Sequence, residues 1–181
     1  MLKTIARNRL AALRSRYDYD TSYMNWLLDA APAAFFKFAK LLEAASHREA
    51  APVNAYFAAK LVAGMTEDCG PCTQLVVNMA RDAGMPADQI EAVLRHDLGA
   101  MLEDTALGLR FAEAVAARSE EEDDLRDQVR HAWGDKGVVD LTFALQIGRM
   151  FPMIKAGLGF AGECRRVLVG DKPVDVQRRA A

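Results

Sequence analysis

The sequence has little of several residue types that mark particular protein classes. Its 181 residues include only 3 cysteines and 3 histidines, too few for a disulfide framework or for paired Cys and His ligands of a structural zinc site. Lys plus Arg is 23 and Asp plus Glu is 25, a net charge of −2, so no basic excess indicates nucleic acid as a partner. Nor is strict apolar–polar alternation, the pattern of a half-buried strand, sustained over several residues.

Signals for a membrane or for secretion are also scarce. No apolar run approaches the roughly 18 residues that span a bilayer. Residues 1–17 carry five basic side chains and no acid, but they lack the apolar centre and cleavage site of a secretory signal. We therefore expect a basic amphipathic first helix that packs on the domain or on a neighbouring subunit. We also expect a cytoplasmic protein without a membrane partner, because two of the few cysteines form a C-x-x-C, which is typical of reducing compartments.

What the sequence does contain is a series of helix-forming segments. Apolar residues make up 51% and charged residues 27%, a composition typical of a globular chain. Apolar positions recur at helical spacing, and prolines and glycines separate the segments. We predict an all-α fold in one domain of residues 1–181. Within it, N-terminal helices occupy 1–50, a core that carries the thiols occupies 51–165, and a polar tail occupies 166–181.

Residues 69–72 read Cys-Gly-Pro-Cys and lie where a helix is predicted to begin. Pro71 suits a first helical position, and Gly84 suits the residue just past the last turn. The free N–H groups and dipole at a helix start stabilise a thiolate, the form of cysteine that attacks peroxides and disulfides. One turn separates the two thiols, so they can form a disulfide with little movement.

The acidic residues before the motif distinguish the two thiols. Glu67 and Asp68 disfavour negative charge on Cys69, because like charges repel. Cys72 lies further from these acids and further into the helix. We therefore predict that Cys72 is the nucleophilic thiol and Cys69 the resolving one.

Other interpretations of the pair stay open at this point. The two cysteines could be half of a metal site, although no second pair is present, or two buried and inert thiols. The same tetrapeptide opens a helix in thioredoxins, but there it follows a buried strand, whereas residues 58–65 favour a helix. Residues 157–162 match the dinucleotide pattern G-x-G-x-x-G, but no strand precedes them and the remaining chain is too short for a βαβ unit. We expect neither a metal nor a nucleotide cofactor.

The order of these segments resembles the AhpD-like, carboxymuconolactone decarboxylase superfamily. The resemblance covers roughly residues 51–163: the helix before the C-x-x-C, the motif itself, Ala-Arg-Asp-Ala-Gly-Met at 80–85, Leu-Arg-Phe-Ala-Glu-Ala at 109–114 and the apolar helix at 138–151. It implies an all-α fold and homo-oligomers, which are trimers, dimers or hexamers. It also implies hydroperoxide reduction by the two thiols, with the second cysteine meeting the peroxide.

The sequence departs from this family at two positions. The peroxidase members carry a His four residues after the second cysteine, where this chain has Val76, and a Glu twelve residues before the first, where it has Phe57. Neither side chain can transfer a proton, and loss of an acid–base group costs about 10²–10⁴-fold in rate. Glu67, Asp68 and His131 are the candidate substitutes, His131 only if the fold brings it to the thiols.

Three hypotheses for function result. The first is a thiol redox protein that reduces a hydroperoxide or a disulfide and is reset by an external dithiol. The second is an oligomeric binding or redox-sensing protein whose thiols form at most a structural or sensing disulfide. The third is a cofactor-free lactone decarboxylase or isomerase.

Overall fold

The computed structural model describes residues 1–161 and 167–177, which form eight α-helices, one 3₁₀ turn at Leu98–Ala100 and two short strands. The helices are α1 Leu2–Tyr17, α2 Ser22–Ala30, α3 Pro32–Ala44, α4 Val53–Thr66, α5 Gly70–Asp82, α6 Ala87–Arg95, α7 Glu103–Ala117 and α8 Glu122–Gly157. The strands are β1 Val167–Val169 and β2 Lys172–Val174. The prediction of a helical fold is confirmed, with one small hairpin that it did not include.

Helix α4 lies at the centre of the fold. Residues 55–64 are buried without interruption, and α5, α6, α7 and α8 all contact this helix. Such a helix has no solvent face, which explains why its apolar residues show little periodicity. Gly64 lets α5 approach closely, because a Cβ added there would lie 2.7 Å from Oγ1 of Thr73.

The core has two parts. The larger surrounds α4 and includes residues from α5 to α8. The smaller joins the N-terminal helices, with Leu10, Tyr23, Met24, Leu28 and Phe38 buried, and the end of α8 packs against it. The basic first helix therefore packs on the domain: α1 buries Ala6 and Leu10 and leaves its arginines exposed.

The helix that carries the thiols begins and ends close to where the sequence predicts. Pro71 lies in the first turn of α5. At the other end Gly84 adopts a φ of 89°. There the N–H of Gly84 donates to Arg81 (3.0 Å) and the N–H of Met85 donates to Ala80 (2.9 Å), the bonding pattern of a Schellman motif.

A buried carboxylate holds the segment that leads into α4. Asp140 of α8 is 0% exposed. It accepts the backbone N–H groups of Glu49 (3.0 Å), Ala50 (2.7 Å) and Ala51 (2.9 Å). Charge-assisted bonds to main-chain donors are the strong class of hydrogen bond, so this carboxylate fixes the start of α4 against α8.

The expectation of a polar tail from residue 166 is wrong for residues 167–174. These form an antiparallel hairpin in which Val167 pairs with Val174, joined by a Gly-Asp turn at 170–171. Val167, Val169 and Val174 are buried in the larger core. The amide side chain of Gln74 on α5 also bonds both the N–H (2.6 Å) and the C=O (3.0 Å) of Leu168.

Helix α8 changes direction at Gly134, whose φ of 70° and ψ of −176° are not helical. Pro152, where the sequence favours a kink or an end, lies inside the helix. By length and composition alone α8 also qualifies as a membrane span, with a hydropathy of 1.2 over its best window and 33% of that window buried. The sequence analysis did not predict a helix of this length and apolar content. Core helices of soluble proteins can have the same length and composition.

Candidate active site

The two thiols of the C-x-x-C form a disulfide at the start of α5. Cys69 is the residue that precedes the first turn, and its Cα lies 5.2 Å from that of Cys72. Their exposure differs: Cys72 is only 6% exposed, whereas Cys69 is half-buried. The two sulfur atoms therefore face different surroundings, Cys72 the interior and Cys69 the boundary with solvent.

Cys72 lines a cavity of about 100 Å³ that lies between the two parts of the core. The walls come from the N-terminal helices and from α4, α5 and α8, and they are mainly apolar. The lining side chains include Leu13, Met24, Leu42, Leu75, Val76, Met79 and Phe151. Five lining side chains carry a hydroxyl, an amine or a cysteine sulfur. The hydroxyl of Ser46 donates to the carbonyl of Glu43 (2.7 Å), and the other four are Cys72, Tyr19, Tyr23 and Lys60.

The nearest polar group to the inner thiol is the Tyr19 hydroxyl, 3.8 Å from Sγ of Cys72. A disulfide sulfur has no hydrogen, so here the hydroxyl is the donor. Burial raises the pKa of Tyr19, an effect that its neighbour Tyr23 only partly offsets. The hydroxyl therefore keeps its proton at neutral pH and can donate it to a sulfur or oxygen anion.

Tyr23 is fully buried, and burial also raises its pKa. Its hydroxyl has no hydrogen-bond partner among the described residues, although Tyr19 lies near enough for the two hydroxyls to affect each other's ionisation. Most buried polar groups do have a partner. A hydroxyl without one, in the wall of a cavity, can accept or donate a bond to a bound molecule.

Lys60 is the fourth polar residue and is 7% exposed. Its Nζ donates to the carbonyl of Ala45 (2.6 Å) and to the hydroxyl of Tyr56 (3.3 Å). The ring centroids of Tyr56 and Phe57 lie 5.1 and 5.9 Å from Nζ. Among the ion pairs of the described residues none involves Lys60, and burial lowers its pKa to about 8. It is therefore a base that titrates close to neutral pH.

The acidic and histidine candidates lie elsewhere. Glu67 accepts a bond from Nε of Arg149 on α8 (2.6 Å), and Asp68 is exposed with a φ of 48°. His131 is exposed on α8. None of the three lines the cavity at Cys72. The fold therefore does not bring the predicted substitutes to the inner thiol.

The two family relay positions hold the apolar side chains that the sequence shows. Val76 lines the cavity, and Phe57 packs edge-on against Tyr56 at 5.2 Å between centroids. The sequence did not lead us to predict that Lys60 and Tyr19 line the cavity at Cys72. Lys60 had a visible signal, because it is the only charged residue in the 14 residues of α4. Tyr19 had none, because it belongs to a polar turn far from the thiols in sequence.

A larger groove of about 730 Å³ lies on another side of α4. It includes Arg110 and the hydrogen-bonded pair His96 and Glu113, whose Nε2 and Oε2 atoms are 3.1 Å apart. Neither Cys69 nor Cys72 lines it. The smaller cavity is the candidate active site, because it combines a thiol with proton donors and a base.

Cys164, the third cysteine, lies outside the described residues.

In comparisons with known proteins, no protein-family model matches this chain, and neither does any curated protein or solved structure.

Proposed function

We propose that this protein is a thiol redox protein of the AhpD-like type, which reduces a hydroperoxide or a disulfide. Cys72 attacks the substrate, Cys69 closes the disulfide, and an external dithiol restores both thiols. The observation that carries the proposal is the position of the inner thiol. Cys72 lines an apolar cavity at the start of a helix, and a buried tyrosine hydroxyl lies 3.8 Å from its sulfur.

The reaction with a hydroperoxide balances without a metal or nucleotide. The Cys72 thiolate attacks the outer peroxide oxygen, the O–O bond breaks, and the alkoxide takes a proton to leave as an alcohol. The resulting sulfenic acid is attacked by Cys69, which forms the disulfide and releases water. The dithiol then reduces this disulfide by exchange through a mixed disulfide. Since Cys69 is the more exposed sulfur, we expect the reductant to attack there.

Proton transfer is assigned to residues that lie outside the family relay. Tyr19 keeps its proton because burial raises its pKa, so it can stabilise the thiolate or protonate the leaving oxygen. Lys60, whose pKa burial lowers to about 8, lines the same cavity and can take the thiol proton. Together they would supply the acid and the base that Val76 and Phe57 cannot.

Substitution of each cysteine separately tests this assignment. Reduced protein is given hydrogen peroxide or tert-butyl hydroperoxide with dithiothreitol, and peroxide consumption is measured. Cys72→Ser should fall to the background rate. In a separate reaction without dithiothreitol, reduced Cys69→Ser should consume one equivalent of peroxide and accumulate a sulfenic acid at Cys72 that dimedone traps. Cys164→Ser is the matched control and should keep wild-type turnover. Unchanged turnover in Cys72→Ser would remove the proposal.

A second candidate is a redox-sensing oligomer, and the surface of α8 favours it. Val139, Phe143, Met150 and Met153 are 39–55% exposed and lie 4, 7 and 3 residues apart, the spacing of a helix seam. We propose that this seam forms the contact between copies of the chain. If so, Phe143→Glu should reduce the mass measured by light scattering. A sensor, unlike the enzyme, would change mass between oxidised and reduced protein and show no turnover with any donor.

A further inference from the structure

The cavity beside Cys72 contains two polar groups whose hydrogen-bonding capacity is not fully used. One is the Tyr23 hydroxyl, fully buried and without a hydrogen-bond partner in the described residues. The other is the amine of Lys60. Neither is needed to explain the disulfide or the contact between Tyr19 and Cys72. Both groups line the same apolar cavity, so a ligand there could accept a hydrogen bond from the tyrosine and react with the amine.

Lys60 donates two hydrogen bonds, whereas a protonated amine has three N–H groups. Tyr56 donates its own proton to the carbonyl of Ala45 (2.7 Å), so its oxygen is free to accept from Lys60. Nζ therefore has two acceptors, Ala45 and Tyr56. An ammonium would keep a third N–H with no acceptor among the described residues. A neutral amine satisfies both bonds and keeps its lone pair for a reaction.

We propose that this cavity binds a small aldehyde or ketone, and that Lys60 condenses with it to form an imine. The carbonyl oxygen of such a ligand accepts a hydrogen bond from the Tyr23 hydroxyl, which has no partner at hydrogen-bond distance in the described residues. The carbonyl carbon then faces the amine. The substituents lie against Met24, Leu42 and Leu75, which offer no competing polar atoms.

The chemistry of this step balances without an oxidant or a reductant. The Nζ lone pair attacks the carbonyl carbon and gives a carbinolamine, while the Tyr23 hydroxyl stabilises the developing charge on oxygen. The two amine hydrogens leave with the carbonyl oxygen as water, and a C=N double bond remains. The thiols take no part. The inference therefore goes beyond the thiol reaction and does not depend on it.

The size of the cavity limits the ligand. At about 100 Å³ it is smaller than the engineered cavities of about 150 Å³ that hold benzene in other proteins. The side chain of the carbonyl compound is therefore limited to about four carbons. Butanal fits this limit, and 2-naphthaldehyde exceeds it.

Reductive trapping tests the proposal on the intact protein. The disulfide form is used, so that Cys69 and Cys72 are blocked, and it is incubated with butanal and cyanoborohydride at pH 7.5. Peptide mass spectrometry then gives the alkylation rate of each lysine. Lys60 should react at least about tenfold faster than exposed Lys3 or Lys136, because its lower pKa leaves far more neutral amine at this pH. Lys60 should also resist 2-naphthaldehyde.

Two variants separate the roles of the groups. Tyr23→Phe removes a hydroxyl whose polar neighbour is Tyr19 and that has no partner at hydrogen-bond distance in the described residues, so the fold should be kept while the labelling rate at Lys60 falls severalfold. Cys164→Ser keeps the disulfide between Cys69 and Cys72, so it is the matched control and should label at the wild-type rate. Modification of Lys3 and Lys136 as fast as Lys60 would overturn the imine. An unchanged rate in Tyr23→Phe would overturn the carbonyl pose.

Discussion

Removal of the Tyr19 hydroxyl tests how the inner thiol is activated. Tyr19 is 3% exposed, and its oxygen lies 3.8 Å from Sγ of Cys72. Tyr19→Phe deletes the hydroxyl, which contacts Cys72 and neighbours Tyr23, and keeps the ring that packs in the smaller core. The thiolate of Cys72 then depends only on the helix start and on Lys60. We expect the pKa of Cys72 to rise and peroxide reduction at neutral pH to slow.

The size of the effect can be estimated from the contact. Hydrogen bonds to charged groups contribute about 1.5–3 kcal/mol, and a sulfur–oxygen distance of 3.8 Å places this one at the weak end. A loss of about 1.5 kcal/mol raises the pKa of the thiol by about one unit. Below that pKa the thiolate fraction, and with it the rate of peroxide reduction, falls about tenfold.

Alkylation of the reduced protein measures the thiolate directly. The rate of iodoacetamide modification at Cys72 is followed by peptide mass spectrometry between pH 5 and 9, and the midpoint gives the pKa. Tyr17→Phe is the matched control, because it removes a hydroxyl two residues away that does not line the cavity. A midpoint in Tyr19→Phe equal to that of the control, with equal turnover, would refute the reasoning.

Three further predictions concern stability, and urea unfolding measures each. Asp140→Ala should lower the free energy of unfolding by about 3 kcal/mol, because three N–H groups at 49–51, that of Ala51 buried, lose a charged acceptor. Burial lowers the pKa of Lys60 from 10.5 to about 8, so between these values only the unfolded state holds the proton. Wild type should therefore gain about 3 kcal/mol relative to Lys60→Met as pH rises from 8 to 10.5, and show no such change below pH 8. Gly84→Ala should cost about 1 kcal/mol because φ is 89° there, whereas Gly157→Ala, with open space and no positive φ, should cost nothing.

Local patterns in the sequence were enough to predict the helix that carries the thiols. A proline in the first turn and a glycine after the last turn act on the backbone within a few residues of themselves. The same holds for the spacing that lets Cys69 and Cys72 meet. The helix start and the pairing of the two sulfur atoms could therefore be predicted without knowledge of the tertiary fold.

The sequence analysis did not predict the hairpin at 167–174, although the sequence contains one signal for it. Its Gly-Asp pair at 170–171 is a turn signal of two-residue hairpins, but strands of 3 residues are too short to show alternation. Its stability depends on contacts that are distant in sequence, such as the bonds from Gln74 to Leu168 and from Gln177 to Leu94. Propensity alone carries no information on such contacts.

The surroundings of Cys72 could not be predicted, because they arise where the two parts of the core meet. Tyr19 and Lys60 are 53 and 12 residues from Cys72 in sequence, and neither belongs to a motif. Lys60 lies one turn after Phe57 on α4, so it is on nearly the same face of the helix as the position where the AhpD-like peroxidases, which the sequence resembles, carry a Glu. His131 is the opposite case. A histidine is a suitable acid–base residue and was predicted as a substitute for the relay, but the fold leaves it exposed and away from Cys72.

The position of Tyr19 changes how the N-terminal region should be understood. Residues 1–50 lie outside the segment that resembles the AhpD-like family, which suggests an appended unit. Yet Leu13, Tyr19, Tyr23 and Met24 form one wall of the cavity. Without this wall Cys72 would face solvent, which stabilises a thiolate but removes the proton donor and the apolar enclosure that favour a bound organic substrate. The N-terminal helices therefore form part of the candidate active site. A shortened chain that starts at residue 45, which keeps the bonds from 49–51 to Asp140, should alkylate readily at Cys72 while losing peroxide turnover.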